Sequence, residues 1–287
     1  MFNHSSNSNV QVFELDTLGT RLQIRIDSLH TCEGVFSEVK SMLFDFDQKY
    51  SRFIPGNWLD EFNRNGGGLL DEDGHKMLEF ALELAQRTDG IFDPVIGARL
   101  TQLGYGSRET VMYSRKQGNY RDIHLSESMV ELRNGVCLEF GGVGKGYALD
   151  KIVTILQKFD RFLVDFGGDI YGKGGWEVGL EDPEDFSKII GKITLHDGFF
   201  CSSAGSRRRF GNSHHLLNAL TGNSTHHTLA TFVESQSGMY ADGFATACFV
   251  TPLELSLELF CLPKIEGVLL TENRTMYQSD QSKIELF

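Results

Sequence analysis

The sequence predicts an α+β fold. Segments with apolar residues three and four apart are interspersed with short, strand-like runs. These segments do not alternate strictly as strand–helix–strand units, so mixed or antiparallel sheets with packed helices are expected rather than a doubly wound parallel sheet. Hydrophobic residues at 40% and charged residues at 23% are the proportions of an ordinary soluble protein.

Taken in order, residues 1–9 read as a flexible tail and 10–287 as one domain. QVFELDTLGTRLQIRI reads as two strands around a glycine-containing turn. From 33 to 50, Val35, Phe36, Val39, Met42, Leu43 and Phe46 mark an amphipathic helix. SRFIPGNWLDEFNRNGGG reads as a loop. A second helix is expected over about 75–87, stopping at TDG, where Gly90 suits a left-handed cap. Residues 104–135 are polar and irregular, with a strand near YRDIHL. VCLEF reads as a strand and KGYALDKIVTILQKF as a helix. RFLVDFGGDIYG reads as a strand ending in a glycine turn. WEVGLED, KIIGKITL and FFCSSAG read as successive strands, and TLATFVES as another. MYADGFATACFV and LELSLELF are expected helices, and EGVLLTE and TMYQSD closing strands.

Several function classes are disfavoured at once. With 27 Lys and Arg against 39 Asp and Glu, the net charge of −12 argues against a general nucleic-acid binder. One anionic ligand held by a local cluster or a metal remains compatible with it. Five cysteines with no CxxC suggest neither a disulfide framework nor a zinc knuckle, and most read as small core residues. No apolar run approaches a membrane span, and the polar start MFNHSSNSNVQVFELD lacks a signal peptide core. A cytoplasmic protein without membrane insertion is expected.

Five stretches could carry chemistry. CLEFGGVGKGYALD, residues 137–150, has the outline of a phosphate loop. It fails the Walker pattern, since Gly146 rather than Ser or Thr follows Lys145, and it fails the dinucleotide GxGxxG spacing. Its glycines still allow close approach to the backbone at a helix start. TDGIFDP could be no more than a helix cap followed by a solvated acid. LVDFGGDIYG contains DFG, but no HRD or VAIK accompanies it, so a kinase is discarded. SSAGSRRRFGNSHHLLNALTG offers Arg207, Arg208, Arg209, His214 and His215, which could meet a phosphate and move a proton, or form a basic surface loop. His226 and His227 have no partner at zinc-ligand spacing. In MYADGFATACF, Asp242 and Thr246 are four apart, on one helix face, and such hard oxygens suit Mg²⁺.

Any one of these is weak, but the ordered set is specific. TLGT, SRF, TDGIFDP, EFGGVGKGYALD, LVDFGGDIYG, SSAGSRRRF…HHLLNALTG and MYADGFATACF, in this order and spacing, resemble the FAD:protein FMN transferases, the ApbE family. The similarity runs from about Leu18 to Thr251. The resemblance implies an α+β fold with a T-fold-like core and a divalent metal, usually Mg²⁺. It implies transfer of FMN from FAD to a Thr or Ser hydroxyl of a target flavoprotein, with release of AMP. Two alternatives stand beside it: an FAD pyrophosphatase giving FMN and AMP, and an FAD-binding protein without catalysis.

Residue by residue, the resemblance makes Asp242 and Thr246 side-chain metal ligands and Gly142 a carbonyl ligand, with the carbonyl of Ala245 as a further addition. Leu18, Phe53, Phe92, Asp93, Glu139 and Lys145 match positions that line the flavin nucleotide. His215 matches a histidine with a proposed catalytic role. A metal on phosphate oxygens neutralises charge in phosphoryl transfer, and a histidine near the attacking hydroxyl is a fitting base. The sequence departs from the family pattern at Glu139, where aspartate is usual. It departs again at Asn218 and Ala219, which replace an acid and a proline, and in the basic run Arg207–Arg209.

Overall fold

The structure, a computed structural model, describes residues 9–106, 118–211 and 213–287. The expected tail, apart from Asn9, and positions 107–117 of the irregular segment lie outside the described residues. Strands β1 (Val10–Thr17) and β2 (Thr20–Asp27) form a hairpin whose two-residue turn, Leu18 and Gly19, has positive φ at both positions. Helices α1 (Glu33–Tyr50), α2 (Trp58–Arg64), α3 (Glu72–Arg87) and α4 (Gly97–Gln102) follow. Strand β3 (Gly67–Leu69) joins β4 (Ile123–Ser126) and β5 (Met129–Leu132) in a three-stranded sheet ordered β3-β5-β4. Helix α5 (Gly144–Leu156) leads to β6 (Phe162–Phe166), β7 (Asp169–Glu181) and β8 (Ile189–Ala204).

Two short pairs come next: β9 (Arg209–Phe210) with β10 (Ser213–His214), and β11 (Leu217–Asn218) with β12 (Asn223–Ser224). The chain closes with β13 (Thr228–Ser235), α6 (Gly238–Val250), α7 (Leu253–Phe260), β14 (Glu266–Thr271), β15 (Met276–Gln278) and β16 (Glu285–Leu286). The main sheet runs β1-β2-β6-β7-β8-β13-β14-β15, with β16 added to β8, and its pairings are antiparallel. The fold is therefore α+β, as expected.

The strand period of two divides the sheet's apolar residues between two faces. Leu22, Ile24, Phe162, Val164, Phe166, Val233 and Leu269 pack with the helices. Leu163, Ile170, Trp176, Val178, Phe232 and Leu270 form a second cluster. Helix α6 has apolar residues all around and is buried almost throughout, between β8, β13 and α5.

Five local expectations change. RFLVDFGGDIYG is not one strand: the chain turns at Gly167 and Gly168, both with positive φ, and WEVGLED continues the second strand, β7. VCLEF is not a strand: the Leu138 amide and carbonyl are bonded by the side chain of Asn63, and the Glu139 amide donates to the Pro94 carbonyl. These local partners leave no ladder to join. The loop after α1 contains α2, whose N-cap Asn57 accepts from the Asp60 amide. KIIGKITL and FFCSSAG are one continuous strand, β8, because Gly198 sits in the ladder opposite Gly172. Helix α3 begins three residues earlier than expected, where the Asp71 side chain accepts from the Gly74 amide. At its other end the Gly90 amide reaches the Ala85 carbonyl, and both Asp89 and Gly90 have positive φ.

Candidate active site

The floor of the site is where α5 crosses α6. A Cβ on Gly146 would lie 2.2 Å from the Gly238 carbonyl oxygen and 2.6 Å from Asp242 Cβ, so glycine is what lets the helices touch. At this crossing the Gly146 amide donates to Asp242 Oδ2 at 2.8 Å. Helix α5 has no side-chain N-cap of its own, and the Asp242 carboxylate fills that role from another helix. The start of α6 is held in turn by Asp150, which accepts from the Gly238 and Met239 amides and the Ser237 hydroxyl. Burial pushes the Asp150 carboxyl up against these bonds.

Lys145, in the first turn of α5, reaches between two carboxylates. It pairs closely with Asp169 and lies 3.7 Å from Asp242 Oδ1. Asp169 is fully buried and Oδ1 has no hydrogen-bond partner, so Lys145 is its countercharge. A buried carboxylate without one would be strongly destabilising. Gly142 packs against the Phe92 ring, where a Cβ would come within 2.7 Å of Cε2, and Thr246 Cγ2 lies 3.8 Å from that point. The Thr246 hydroxyl lies 3.3 Å from that of Ser203 on β8.

The loop acids are more occupied than the sequence suggests. Asp93 accepts from the Val95 amide through Oδ1 and the Tyr120 amide through Oδ2. Burial pushes its carboxyl up to about 6, with Asp122 and Glu139 adding repulsion. Glu139 folds back to accept from the Gly141 amide at 3.0 Å and lies 3.9 Å from Arg52 Nε. Burial raises its carboxyl, while Arg52 and the amide oppose that. Arg52 also donates to Thr101 Oγ1 and to the Tyr105 carbonyl, and its guanidinium stacks 4.3 Å from the centre of the half-exposed Phe53 ring.

His215 and His214 divide into different jobs. His214 is buried, with Nε2 2.7 Å from the Thr225 carbonyl and Nδ1 accepting from the Leu216 amide. It is a structural pin in the Nε2–H tautomer. His215 stacks on Tyr105 with its Nδ1 buried and unpartnered. Burial pushes its imidazole down to about 3, helped by Arg208, His214 and Lys145. Asn218 does not orient it: the Asn218 side chain accepts from the Leu220 and Thr221 amides and closes the following turn.

Ten residues picked out in the sequence line one cleft of about 1340 Å³: Leu18, Phe53, Phe92, Asp93, Glu139, Gly142, Lys145, His215, Asp242 and Thr246. Ala245 does not line it; its carbonyl accepts from the Thr231 hydroxyl at 2.6 Å. The sequence reading missed Arg52, Ser203, Ser206 and Asp169. Of these, Arg52 sits inside SRF and Asp169 follows the double glycine of LVDFGGDIYG; pairing makes them part of the site, and pairing is invisible in a linear chain. Among the described residues no group of three His, Cys, Asp or Glu could hold a metal. A cation here would rest on Asp242, the Thr246 hydroxyl and main-chain oxygen at Gly142. That hard-oxygen set fits Mg²⁺ better than a thiophilic metal.

Against known families, residues 18–269 match the ApbE family. The chain belongs to the ApbE family. Among ApbE relatives, the FAD:protein FMN transferase of Treponema pallidum is 27% identical, over 84% of this chain and 79% of its own. That of Escherichia coli K12 is 22% identical, over 88% and 81%. The ApbE protein of Thermotoga maritima superposes with a TM-score of 0.85 at 24% identity, covering 95% of this chain and 97% of its own. The flavin transferase ApbE of Vibrio cholerae gives 0.85 at 18% identity, covering 96% and 98%. The ApbE architecture thus extends over nearly the whole chain. No described helix is long and apolar enough to cross a membrane.

Proposed function

We propose that this protein is a Mg²⁺-dependent FAD:protein FMN transferase that moves FMN from FAD to a Thr or Ser hydroxyl of an acceptor flavoprotein and releases AMP. The observation that carries the reading is the convergence of ten residues, from turns, loops and helices far apart in sequence, on one cleft. The relatives named above, by their names, support the transfer of FMN from FAD to a protein.

The acceptor hydroxyl oxygen attacks the FMN phosphorus. A phosphoester bond forms, the pyrophosphate P–O bond breaks, and AMP leaves with the bridging oxygen. The hydroxyl proton passes to His215, whose imidazole is neutral at working pH and whose Nδ1 has no competing partner. Its low basicity is a property of the free cleft; an adjacent phosphate anion favours the imidazolium. Asp242, Thr246 and Gly142 would hold Mg²⁺, which when bound neutralises charge on the phosphate oxygens. Lys145 adds a fixed positive charge, and Asp169 keeps it in place. Leu18, Phe53, Phe92 and Arg52 supply the apolar and stacking surface for the flavin nucleotide.

Incubation with FAD, Mg²⁺ and an acceptor flavoprotein should yield a covalently fluorescent acceptor and an equal amount of AMP. FMN and AMP without a labelled acceptor would select the pyrophosphatase. Intact FAD beside an acceptor that a known transferase does label would overturn the proposal.

A further inference from the structure

The turn from β8 to β9 holds two groups, Ser206 and Arg208, that the mechanism above leaves unused. Ser206 Oγ is buried with no hydrogen-bond partner, and so is His215 Nδ1. Both line the cleft, as does Arg208. The register of β9 and β10 pairs Arg209 with His214, so the next positions along are Arg208 and His215.

The three neighbouring arginines differ. Arg207 pairs with Glu181 and stacks over Phe186. Arg209 is fixed in β9. Arg208 is exposed, and among the described residues it has no ion-pair or hydrogen-bond partner. It also adopts a φ of 52°, a conformation unfavourable for a residue with a side chain. Strain of this kind persists where the surrounding structure imposes it, and it concentrates at ligand clamps. At Gly205 a Cβ would lie 3.0 Å from the His214 ring, so this turn packs against a buried histidine.

A guanidinium and a hydroxyl can each donate to a phosphate oxygen, and the guanidinium bond is charge-assisted. The α5–α6 floor, by contrast, sets one cation, Lys145, against two carboxylates, Asp169 and Asp242. We propose that Ser206 and Arg208 form an anion subsite, beside His215, that binds non-bridging oxygens of the FAD pyrophosphate independently of the metal. This rests on the transferase reading, and it makes Arg208 a substrate-binding residue that also sits beside the base. When an anion neutralises Arg208, the repulsion that depresses His215 weakens, so the substrate itself prepares its proton acceptor.

The test is flavin fluorescence titration in EDTA, comparing FAD with riboflavin, which has no phosphate. Arg208→Gln should weaken FAD binding about tenfold, with riboflavin binding unchanged, because a charge-assisted bond is lost. Arg208→Gly should do the same; it suits the positive φ, so the fold is kept. Ser206→Ala should weaken FAD binding several-fold, and Arg208→Lys should retain part of it. An FAD-to-riboflavin affinity ratio equal to wild type in both Arg208→Gln and Arg208→Gly would overturn the subsite alone. A wild-type protein that binds FAD with Mg²⁺ but not in EDTA would overturn the subsite alone, and one that binds FAD in neither condition would overturn the subsite and the transferase reading together.

Discussion

At the scale of single residues, the site is a set of charges held in unfavourable places. Asp242 is a lone acid in a helix buried on nearly every side, a position that costs free energy unless it is used. Asp242→Ala should abolish metal-dependent turnover, and AMP release at the wild-type rate would refute the metal assignment. Asp93 makes a different prediction, on stability. Its native carboxyl holds a proton up to about pH 6, whereas in the unfolded chain it loses it near 4. Between those values the native state binds more protons, so this contribution to stability falls as pH rises. By pH 7 the loss amounts to about 3 kcal/mol at most. Urea denaturation at pH 4.5 and pH 7 should show a smaller drop for Asp93→Asn than for wild type; equal drops would remove Asp93 as the cause. His215 has the opposite sense. Its native imidazole stays neutral to about pH 3, so stability from this residue falls as pH drops below the unfolded value of about 6.5. Histidine NMR resonances in the free protein should show one imidazole still neutral at pH 5.

At the scale of elements, the α5–α6 crossing sets the geometry of the site. Gly146→Ala would push a methyl group into the Gly238 carbonyl and Asp242. Overpacking of this kind costs about 1–3 kcal/mol. The variant should therefore melt lower and bind Mn²⁺, used as a Mg²⁺ probe, more weakly. A variant with unaltered metal affinity would separate the crossing from the metal site. The same scale shows why some elements were readable and others were not. The α1 period and the β1–β2 alternation survive in the fold because each element buries one face. VCLEF has strand composition, yet Asn63, 75 residues earlier in the chain, satisfies the Leu138 amide that a neighbouring strand would have bonded. Asn218 has the composition of a histidine partner, yet its side chain is spent on its own turn.

For the whole molecule, ligand binding should be visible as stability. A ligand that binds only the native state, at a hundred times its Kd, adds about 2.7 kcal/mol. FAD with Mg²⁺ should raise the melting temperature more than either alone, and Asp242→Ala should remove the added effect of Mg²⁺. Equal shifts with and without Mg²⁺ in the wild type would argue against a metal in the FAD complex.

The sequence by itself determined the α+β class, most of the elements and ten residues that meet in one cleft. Periodicity, turn chemistry and ordered motifs are local properties, or lie in a fixed order along the chain, and need no third dimension to be read. Only the tertiary structure decided how those residues are engaged. Lys145 is shared between Asp169 and Asp242, Glu139 turns back towards Arg52, Asp93 is spent on two amides, and Ser206 and His215 line the cleft with a buried polar atom left unbonded. The reason is physical. Ion pairing, desolvation and hydrogen-bond satisfaction depend on distances between groups far apart in the chain, and these distances are fixed when α5 closes on α6 and the β8–β9 turn is pressed against His214.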